Sequence, residues 1–391
     1  MPRPESNDAF RRRAVAWLAE NLPAAPPAEV GEAALAEWRR QWDRKLYQGG
    51  WAGISWPTQY GGQGRTREQK AIFLEECARV GAPEGLALVG RNVVGPTLIA
   101  HGSDAQKQRY IKPLLSADEV WCLGLSEPDA GSDLASVRTR AAVAKDGYKI
   151  SGQKVWTSFA QFADWCMLLA RTGTTDSRHR GLTLFLVDMH AAGISVRPLR
   201  QLTGASEFNE VFFDDVFVPT ANVVGDEGNG WLLLQTSLSL ERGPEEGLHR
   251  QMLYRRLFDE LLDWCDAEQG PLGRVTDDPL ARQRLAESFI ELEVMRLDCM
   301  QGLRLLAEGQ DITSRASLTK LFWSQMIQRN MDTAMDLIGT RSILAAEDPD
   351  AVGDGVFLRE FLWSRAATIY SGTSQIQRNI IAERLLGLPR G

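Results

Sequence analysis

The chain has 391 residues, a formal net charge of −7, 44% hydrophobic residues and 24% charged residues. That length is enough for two or three domains with substantial cores, and the composition is that of an ordinary soluble globular protein. The negative charge, with no basic stripe interleaved with aromatics, excludes a general nucleic-acid binder, and no apolar run approaches the roughly 20 residues that span a bilayer. Arg11, Arg12 and Arg13 precede an apolar stretch that Glu20 and Asn21 interrupt before a signal-peptide core forms, so a cytoplasmic location is expected. The five cysteines contain no CxxC pair and the four histidines show no ligand spacing, so we expect reduced, buried thiols and no metal site.

Taken in chain order, Ala9 to Glu20 forms a short amphipathic helix that Pro23, Pro26 and Pro27 end. Glu32 to Gln48 carries Leu35, Trp38, Trp42 and Leu46 at helical spacing, which predicts one buried, aromatic-rich face. The glycines of Trp51 to Gly64 invite a phosphate-loop reading, but no Gly-Lys-Ser/Thr follows. A turn before a helix capped by Thr66 fits better.

From Val120 the period changes to two. Tyr148, Ile150 and Gly152 alternate with Lys149, Ser151 and Gln153; Leu182, Leu184 and Leu186 stand out likewise, and strands continue through Val211 to Val218 before Pro219. The connections are too short for βαβ units, so an all-β segment lies between two helical ones. In the last, Leu285, Phe289, Leu292, Cys299, Leu303 and Leu306 predict one buried face with Arg296 as an exception. Further helices are expected from Thr313 to about Gly339 and from Ser374 to Leu386.

Two stretches carry the chemistry: LGLSEPDAGSDLAS, Leu123 to Ser136, and KVWTSFAQFADW, Lys154 to Trp165. In the first, Ala130, Gly131 and Ser132 follow Pro128 between strand-like runs, so N–H and O–H donors can face a phosphate or a heterocycle. The second adds the indole of Trp156 beside Thr157 and Ser158. Together they suit a flat, hydrogen-bonding cofactor with a pyrophosphate tail.

Position for position, Gly124 to Ser136 resembles the first signature of the acyl-CoA dehydrogenases, and the resemblance extends over essentially the whole chain. It is nearest in pattern to bacterial members that act on steroid side chains and other bulky acyl groups. The resemblance implies an α+β multidomain fold: an N-terminal α-helical domain (1–119), a middle β-barrel or sandwich domain (120–228) and a C-terminal four-helix-bundle domain (229–391). It implies FAD, with Leu125, Ser126, Gly131 and Ser132 at the ring edge and pyrophosphate, Trp156 and Ser158 at the isoalloxazine, and Thr373 and Gln375 as C-terminal contacts. Ser132 and Arg242 are also implied on the substrate side. Glu127 and Asp133 belong to the signature but read as structural, since their charge would repel an anionic cofactor.

The implied reaction converts a saturated acyl-CoA to a trans-2-enoyl-CoA. A carboxylate takes the α-proton while the β-hydrogen leaves as hydride to flavin N5, and an electron-transfer flavoprotein is the implied acceptor. The base must be desolvated, and the thioester oxygen must receive hydrogen bonds as enolate charge develops. The commonest family position for the base, in a Tyr-Glu-Gly-Thr motif, here reads Tyr370, Ser371, Gly372, Thr373, and serine without a partner cannot deprotonate carbon. Some family members place the glutamate on the first long C-terminal helix before an arginine, which matches Glu241 and Arg242. Leu234, Leu238 and Glu241 lie at i, i+4, i+7, so an apolar setting would raise the carboxyl pKa. A structural ion pair is the competing role for Glu241. Gly243 and Pro244 are expected to bend the helix behind it. The family holds the thioester oxygen with a backbone N–H at the position of Ser371, which serine retains.

Two departures concern oligomerisation. The family's Arg-x-x-Phe-Gly, which reaches a neighbouring subunit's flavin, should lie near Ala267 to Arg274, where the sequence reads AEQGPLGR. Its Gln-x-x-Gly-Gly corresponds to Asp336 to Thr340, so an aspartate stands near where a pyrophosphate would lie. Contacts within the subunit are kept and contacts across the interface are lost. This points to a hetero-oligomer with a second dehydrogenase-like chain, while a homo-oligomer, a dimer of dimers, stays open. A non-catalytic partner subunit and a flavin oxidase or monooxygenase on the same fold are the alternative functions.

Overall fold

The computed structural model describes residues 5–26, 30–241, 243–270 and 273–389, with the backbone alone at 236–241 and 313–314. Numbered in chain order, the helices are α1 (Asn7–Asn21), α2 (Glu32–Gln48), α3 (Arg67–Arg79), α4 (Gly95–His101), α5 (Asp104–Ser116), α6 (Gly230–Glu241), α7 (Pro244–Ala267), α8 (Pro279–Ala307), α9 (Thr313–Ile338), α10 (Val356–Ser364) and α11 (Ser374–Ile380). The strands are β1 (Trp121–Gly124), β2 (Arg140–Ala144), β3 (Gly147–Ser158), β4 (Trp165–Arg171), β5 (Leu182–Asp188), β6 (Ile194–Leu199), β7 (Phe208–Pro219), β8 (Val223–Val224), β9 (Gln269–Gly270) and β10 (Gly273–Arg274). Among the described residues no helix is long and apolar enough to cross a membrane. The helical, β-rich, helical order expected from the sequence is present.

These elements form two compact units, one of Met1–Glu29, Thr66–Ala82 and Arg242–Gly391, the other of Val30–Arg65 and Pro83–Glu241. The first unit is helical apart from the short β9–β10 ribbon. In α1 the hydroxyl of Ser6 accepts from the Ala9 N–H, and Phe10, Ala14 and Leu18 recur on the buried face. Thr66 caps α3 as expected, its hydroxyl accepting from the Gln69 N–H at 3.1 Å. The core joins Leu257, Phe258 and Leu261 of α7, Leu285, Leu292 and Met295 of α8, and Met326, Ile327 and Met331 of α9. Each fully buried side chain of this size contributes about 1.5–3 kcal/mol.

The face that α8 buries is rotated from the expected one. It runs Ala281, Leu285, Ser288, Leu292, Met295, Cys299 and Gly302, alternating steps of four and three, and leaves Phe289 39% exposed. This stripe passes through Met295, so Arg296 sits beside it and pairs with Glu293 at 2.9 Å. Helix α10 was not expected; it is short and starts after a left-handed Gly355.

The second unit is built on one eight-stranded sheet, order β6-β7-β3-β2-β4-β5-β8, with β1 alongside β4. Strands β2 and β4 share a single pair, Arg140 with Arg171, so the sheet divides there into two halves. Ile150, Val211, Phe213 and Val216 from one half share a core with Cys166, Leu168, Phe185 and Val187 from the other, as in a sandwich. The opposite faces of β4 and β5, through Met167, Leu169, Leu184 and Leu186, pack on Leu98 of α4, Ile111 and Leu114 of α5, and Leu233 and Leu234 of α6. Covered on both faces, these two strands read as continuous apolar runs rather than alternating ones.

Of the four apolar positions predicted to face inward on α2, only Trp42 is fully buried; Leu35, Trp38 and Leu46 are half-buried. The adjacent Asp43 is buried instead, its carboxylate accepting from the Ala87 N–H at 2.8 Å and from Arg91 at 2.5 Å. All five cysteines are buried and unpaired.

Candidate active site

Strand β1 is seated by aromatic packing. Trp121 stacks on Trp165 of β4, opposite it in the parallel register, with centroids 5.7 Å apart, and Tyr110 of α5 meets Trp121 edge-on at 5.4 Å. The chain then leaves the sheet at Leu125. The Ser126 carbonyl accepts from the Val155 N–H at 2.9 Å, so the loop stays bound to β3.

A buried ion pair fixes the next step. Lys154, fully buried, donates to the Leu125 carbonyl at 2.9 Å and to Glu127 Oε1 at 2.8 Å. Glu127 also accepts from the backbone N–H groups of Arg138, at 2.6 Å, and Thr139, at 2.8 Å. Burial lowers the Lys154 pKa to about 8, against the opposing pull of Glu127. Burial alone would raise the Glu127 carboxyl, but the Lys154 charge and the donated hydrogen bonds outweigh it and hold the group below the usual range. The loop's far end is fixed by Arg171, whose buried guanidinium donates to the carbonyls of Ala135, at 2.6 Å, and Val137, at 2.9 Å.

Between these anchors the tip, Gly131 and Ser132, is exposed. Among the described residues, a Cβ at Gly131 would meet nothing within 4 Å. Asp133 pairs with Arg178 at 3.0 Å on the surface. Glu127 and Asp133 thus both have structural partners.

The second stretch is shaped by a β-bulge. Lys154 pairs with Val211 and Thr157 with Asn209, so three steps on β3 oppose two on β7. The extra residue turns Trp156 outward: its φ is 61°, in the left-handed region, and its side chain is 61% exposed, edge-on to Phe208 at 6.3 Å. Ser158 ends the same strand. The Val155 to Ser126 bond therefore sets Leu125 and Ser126 beside the part of β3 that carries Trp156, while Ser158 lies at the end of that strand, paired with Phe208. A neighbouring cavity of about 340 Å³ is lined by Glu127, Pro128, Ala130, Arg138 and Gln153, and by none of the predicted flavin residues.

Ser371, Thr373 and Gln375 belong to the other unit. Ser371 has φ 51° and Gly372 φ 87°, consecutive left-handed residues. Gln377, fully buried, donates to the carbonyls of Ser371 at 3.2 Å and Gly372 at 3.3 Å, which holds that turn. The Thr373 hydroxyl caps α11 by accepting from the Ile376 N–H at 3.2 Å, while Gln375 is exposed on the first turn. Tyr370 packs on Trp323 at 6.0 Å.

Glu241 is the last residue of α6, where only the backbone is described, and Arg242 lies outside the described residues. The predicted bend is a stop and restart: α6 ends at Glu241 and α7 begins at Pro244, with Gly243 extended at its N-cap. Leu234 is buried on α6, as its spacing requires. The carboxylates that follow are engaged elsewhere, Glu245 with Arg67 at 3.4 Å and Glu246 with Lys70 at 2.9 Å.

The two segments that depart from the family pattern meet in space. Glu268, Gln269, Gly270 and Arg274 share a cavity of about 480 Å³ with Asp336, Leu337 and Ile338. Its cations are already paired: Arg274 with Asp266 at 2.7 Å and Arg341 with Glu268 at 2.6 Å. Asp336 has a counter-charge, Arg284, at 2.8 Å, which the sequence reading did not supply.

Sequence reasoning assigned no role to Lys154, Arg171 or Gln377. For Lys154 the signal was available, because it continues the inward phase of Tyr148 and Ile150 and places a charge at a core position. Gln377 and Arg171 bond mainly to backbone carbonyls, which leaves no pattern in the sequence.

Comparison with known proteins covers the whole chain. It matches the acyl-CoA dehydrogenase N-terminal domain over residues 4–118, the middle domain over 122–216 and the C-terminal domain over 228–386. It is 40% identical to "Acyl-CoA dehydrogenase IpdE1" of Mycobacterium tuberculosis, covering 98% of each chain. Among solved structures it is similar to the "Tcur3481-Tcur3483 steroid ACAD", at TM-score 0.89 and 30% identity over 99% of each chain. The ChsE4-ChsE5 complex from Mycobacterium tuberculosis gives TM-score 0.86 and 30% identity over the full length of both chains. By this whole-length likeness the chain belongs to the acyl-CoA dehydrogenase family, and its reaction is the dehydrogenation of an acyl-CoA thioester.

Proposed function

We propose that this dehydrogenase binds FAD against the Leu125–Ser132 loop and the Trp156–Ser158 bulge, with Thr373 and Gln375 as further contacts, and acts on a bulky, steroid-type acyl-CoA. The observation that carries the flavin reading is the bond from the Val155 N–H to the Ser126 carbonyl, which makes the two stretches one surface with Trp156 exposed on it. FAD, when bound, accepts the hydrogen that leaves Cβ. Glu241 would take the α-proton, and the Ser371 N–H would receive the thioester oxygen as negative charge builds on it. Ser132 and Arg242 serve the substrate side. Likeness to a structure described as a steroid ACAD supports the acyl class. We assign the enzyme to the cytoplasm, with an electron-transfer flavoprotein as acceptor and segment boundaries after residues 119 and 228.

A hetero-oligomer with a second acyl-CoA dehydrogenase-like chain fits the paired arginines and the aspartate in the Arg274–Asp336 cavity, which leave little for an anionic partner group. Two of the solved relatives are two-component assemblies by their own descriptions. The test is native mass and flavin content of the chain purified alone and with a candidate partner. About one FAD per pair of chains is expected, and a homotetramer with one FAD per chain excludes the heteromer. Failure of an acyl-CoA panel to bleach the bound flavin anaerobically would instead favour a non-catalytic partner role.

A further inference from the structure

We propose that Lys154, through its buried pair with Glu127, is a positioning residue for the flavin: it fixes the Leu125–Ala130 loop against the Trp156 bulge and so sets the spacing between the two flavin-facing edges. The proposal rests on the flavin reading of those stretches.

The geometry is that of a clamp. From one ammonium, Lys154 holds the carbonyl of the first residue beyond β1 and the carboxylate two residues further on. That carboxylate in turn holds the two N–H groups that lead into β2. Glu127 and Ala130 exchange backbone hydrogen bonds at 3.1 and 3.0 Å, which closes the turn between the clamp and the exposed tip. The next residue of β3 donates to Ser126, and the one after it is the outward Trp156. A shift of Lys154 is therefore transmitted to both edges within two residues.

Stability alone does not explain this pair. Two charges taken out of water lose hydration that their attraction only partly restores, and apolar replacements of similar volume are often neutral or stabilising. What an ion pair with four defined hydrogen bonds supplies, and packing does not, is a fixed distance. The other groups acting on Lys154 are Arg171, which opposes its charge, and Cys166; both lie on β4. Arg171 holds the loop's other end, so the tip is suspended between two charged anchors.

The test uses the flavin-binding assembly, the chain alone or with its partner, as parent, Lys154→Met, Lys154→Arg and Lys154→Met/Glu127→Gln. FAD is titrated into each apoprotein, apoprotein melting is recorded, and the visible circular dichroism of the bound flavin is compared. Lys154→Met is expected to weaken FAD binding at least tenfold and change the flavin dichroism, with partial recovery in Lys154→Arg. The double variant, with no charge left unpaired, is expected to regain the parent's melting temperature but not its FAD affinity. Affinity and dichroism within twofold of the parent in the folded variants overturn the proposal, and the double variant decides if Lys154→Met does not fold. Amide exchange at Glu127, Ala130 and Val155 is read without flavin: faster exchange is expected, and unchanged exchange overturns the clamp. A parent that binds no FAD in either assembly sinks the flavin reading, while exchange still judges the clamp.

Discussion

Replacing Gln377 by leucine tests how the turn proposed to receive the thioester oxygen is held. Its amide donates to the carbonyls of Ser371 and Gly372, and the bonds are long, at 3.2 and 3.3 Å. Two such bonds contribute roughly 0.5–1.5 kcal/mol each. Against this, the Gln377 Oε1 is buried with no partner among the described residues, so leucine also removes an unsatisfied acceptor, a gain of about 1 kcal/mol. The turn also contains a non-glycine residue with φ 51°, a conformation that costs about 1–2 kcal/mol and persists only while its surroundings enforce it. The net loss is then about 1–3 kcal/mol, or a melting temperature lower by roughly 2–12 °C for a unit of this size.

Function should suffer more than stability. A donor to a developing oxyanion acts within about 2.7–3.1 Å, and loss of one such donor costs about 10²–10³ in turnover. We expect kcat for Gln377→Leu to fall at least tenfold with a modest change in melting, measured by calorimetry and steady-state kinetics. Ser371→Ala, which keeps the backbone N–H, should stay within about threefold of the parent. Parent-like kcat and melting in Gln377→Leu, or a collapse of activity in Ser371→Ala, would refute the reasoning.

Glu241→Gln should retain flavin and lose turnover by about 10²–10⁴, the range for a positioned general base; parent-like anaerobic bleaching by an acyl-CoA would rule Glu241 out. Trp156→Ala removes an exposed side chain, so melting should change by less than the equivalent of about 0.5 kcal/mol while FAD affinity drops several-fold; unchanged affinity removes the indole from the flavin site. The buried pair gives stability a pH dependence with two signs. From about pH 8, where folded Lys154 loses its proton, to the ordinary lysine value near ~10.4, the unfolded chain binds the extra proton, so this contribution to stability rises with pH. Glu127 is held low in the fold, so its contribution is present above about pH 4.3 and is lost as pH falls through the lower folded value. Urea midpoints across pH should show both trends in the parent and neither in Lys154→Met/Glu127→Gln; identical profiles would refute the assignment.

Much of the architecture was legible because local rules and global packing agree. Thr66 caps α3, β7 follows a period of two from Phe208 to Phe213, and Pro219 ends β7 as its missing N–H requires. The reading slipped where packing selects among several apolar stripes. On α8 both candidate stripes are apolar, and the neighbours chose the one through Met295 rather than the one through Phe289.

For the proposed site, residue types carry the expected chemistry. The GSD and KVW stretches, the serine at 371 and the glutamate before an arginine at 241 are properties of the sequence alone. Tertiary structure decided the conformations that make those residues usable. The bulge that turns Trp156 outward arises from pairing with β7, the left-handed Ser371 depends on Gln377 six residues later, and the signature loop is held by Lys154, twenty-seven residues after its partner Glu127. Side-chain chemistry is local and can be read in order along the chain. Positive φ, strand register and the pairing of buried charges are set by neighbours distant in sequence, and only the folded chain brings those neighbours together.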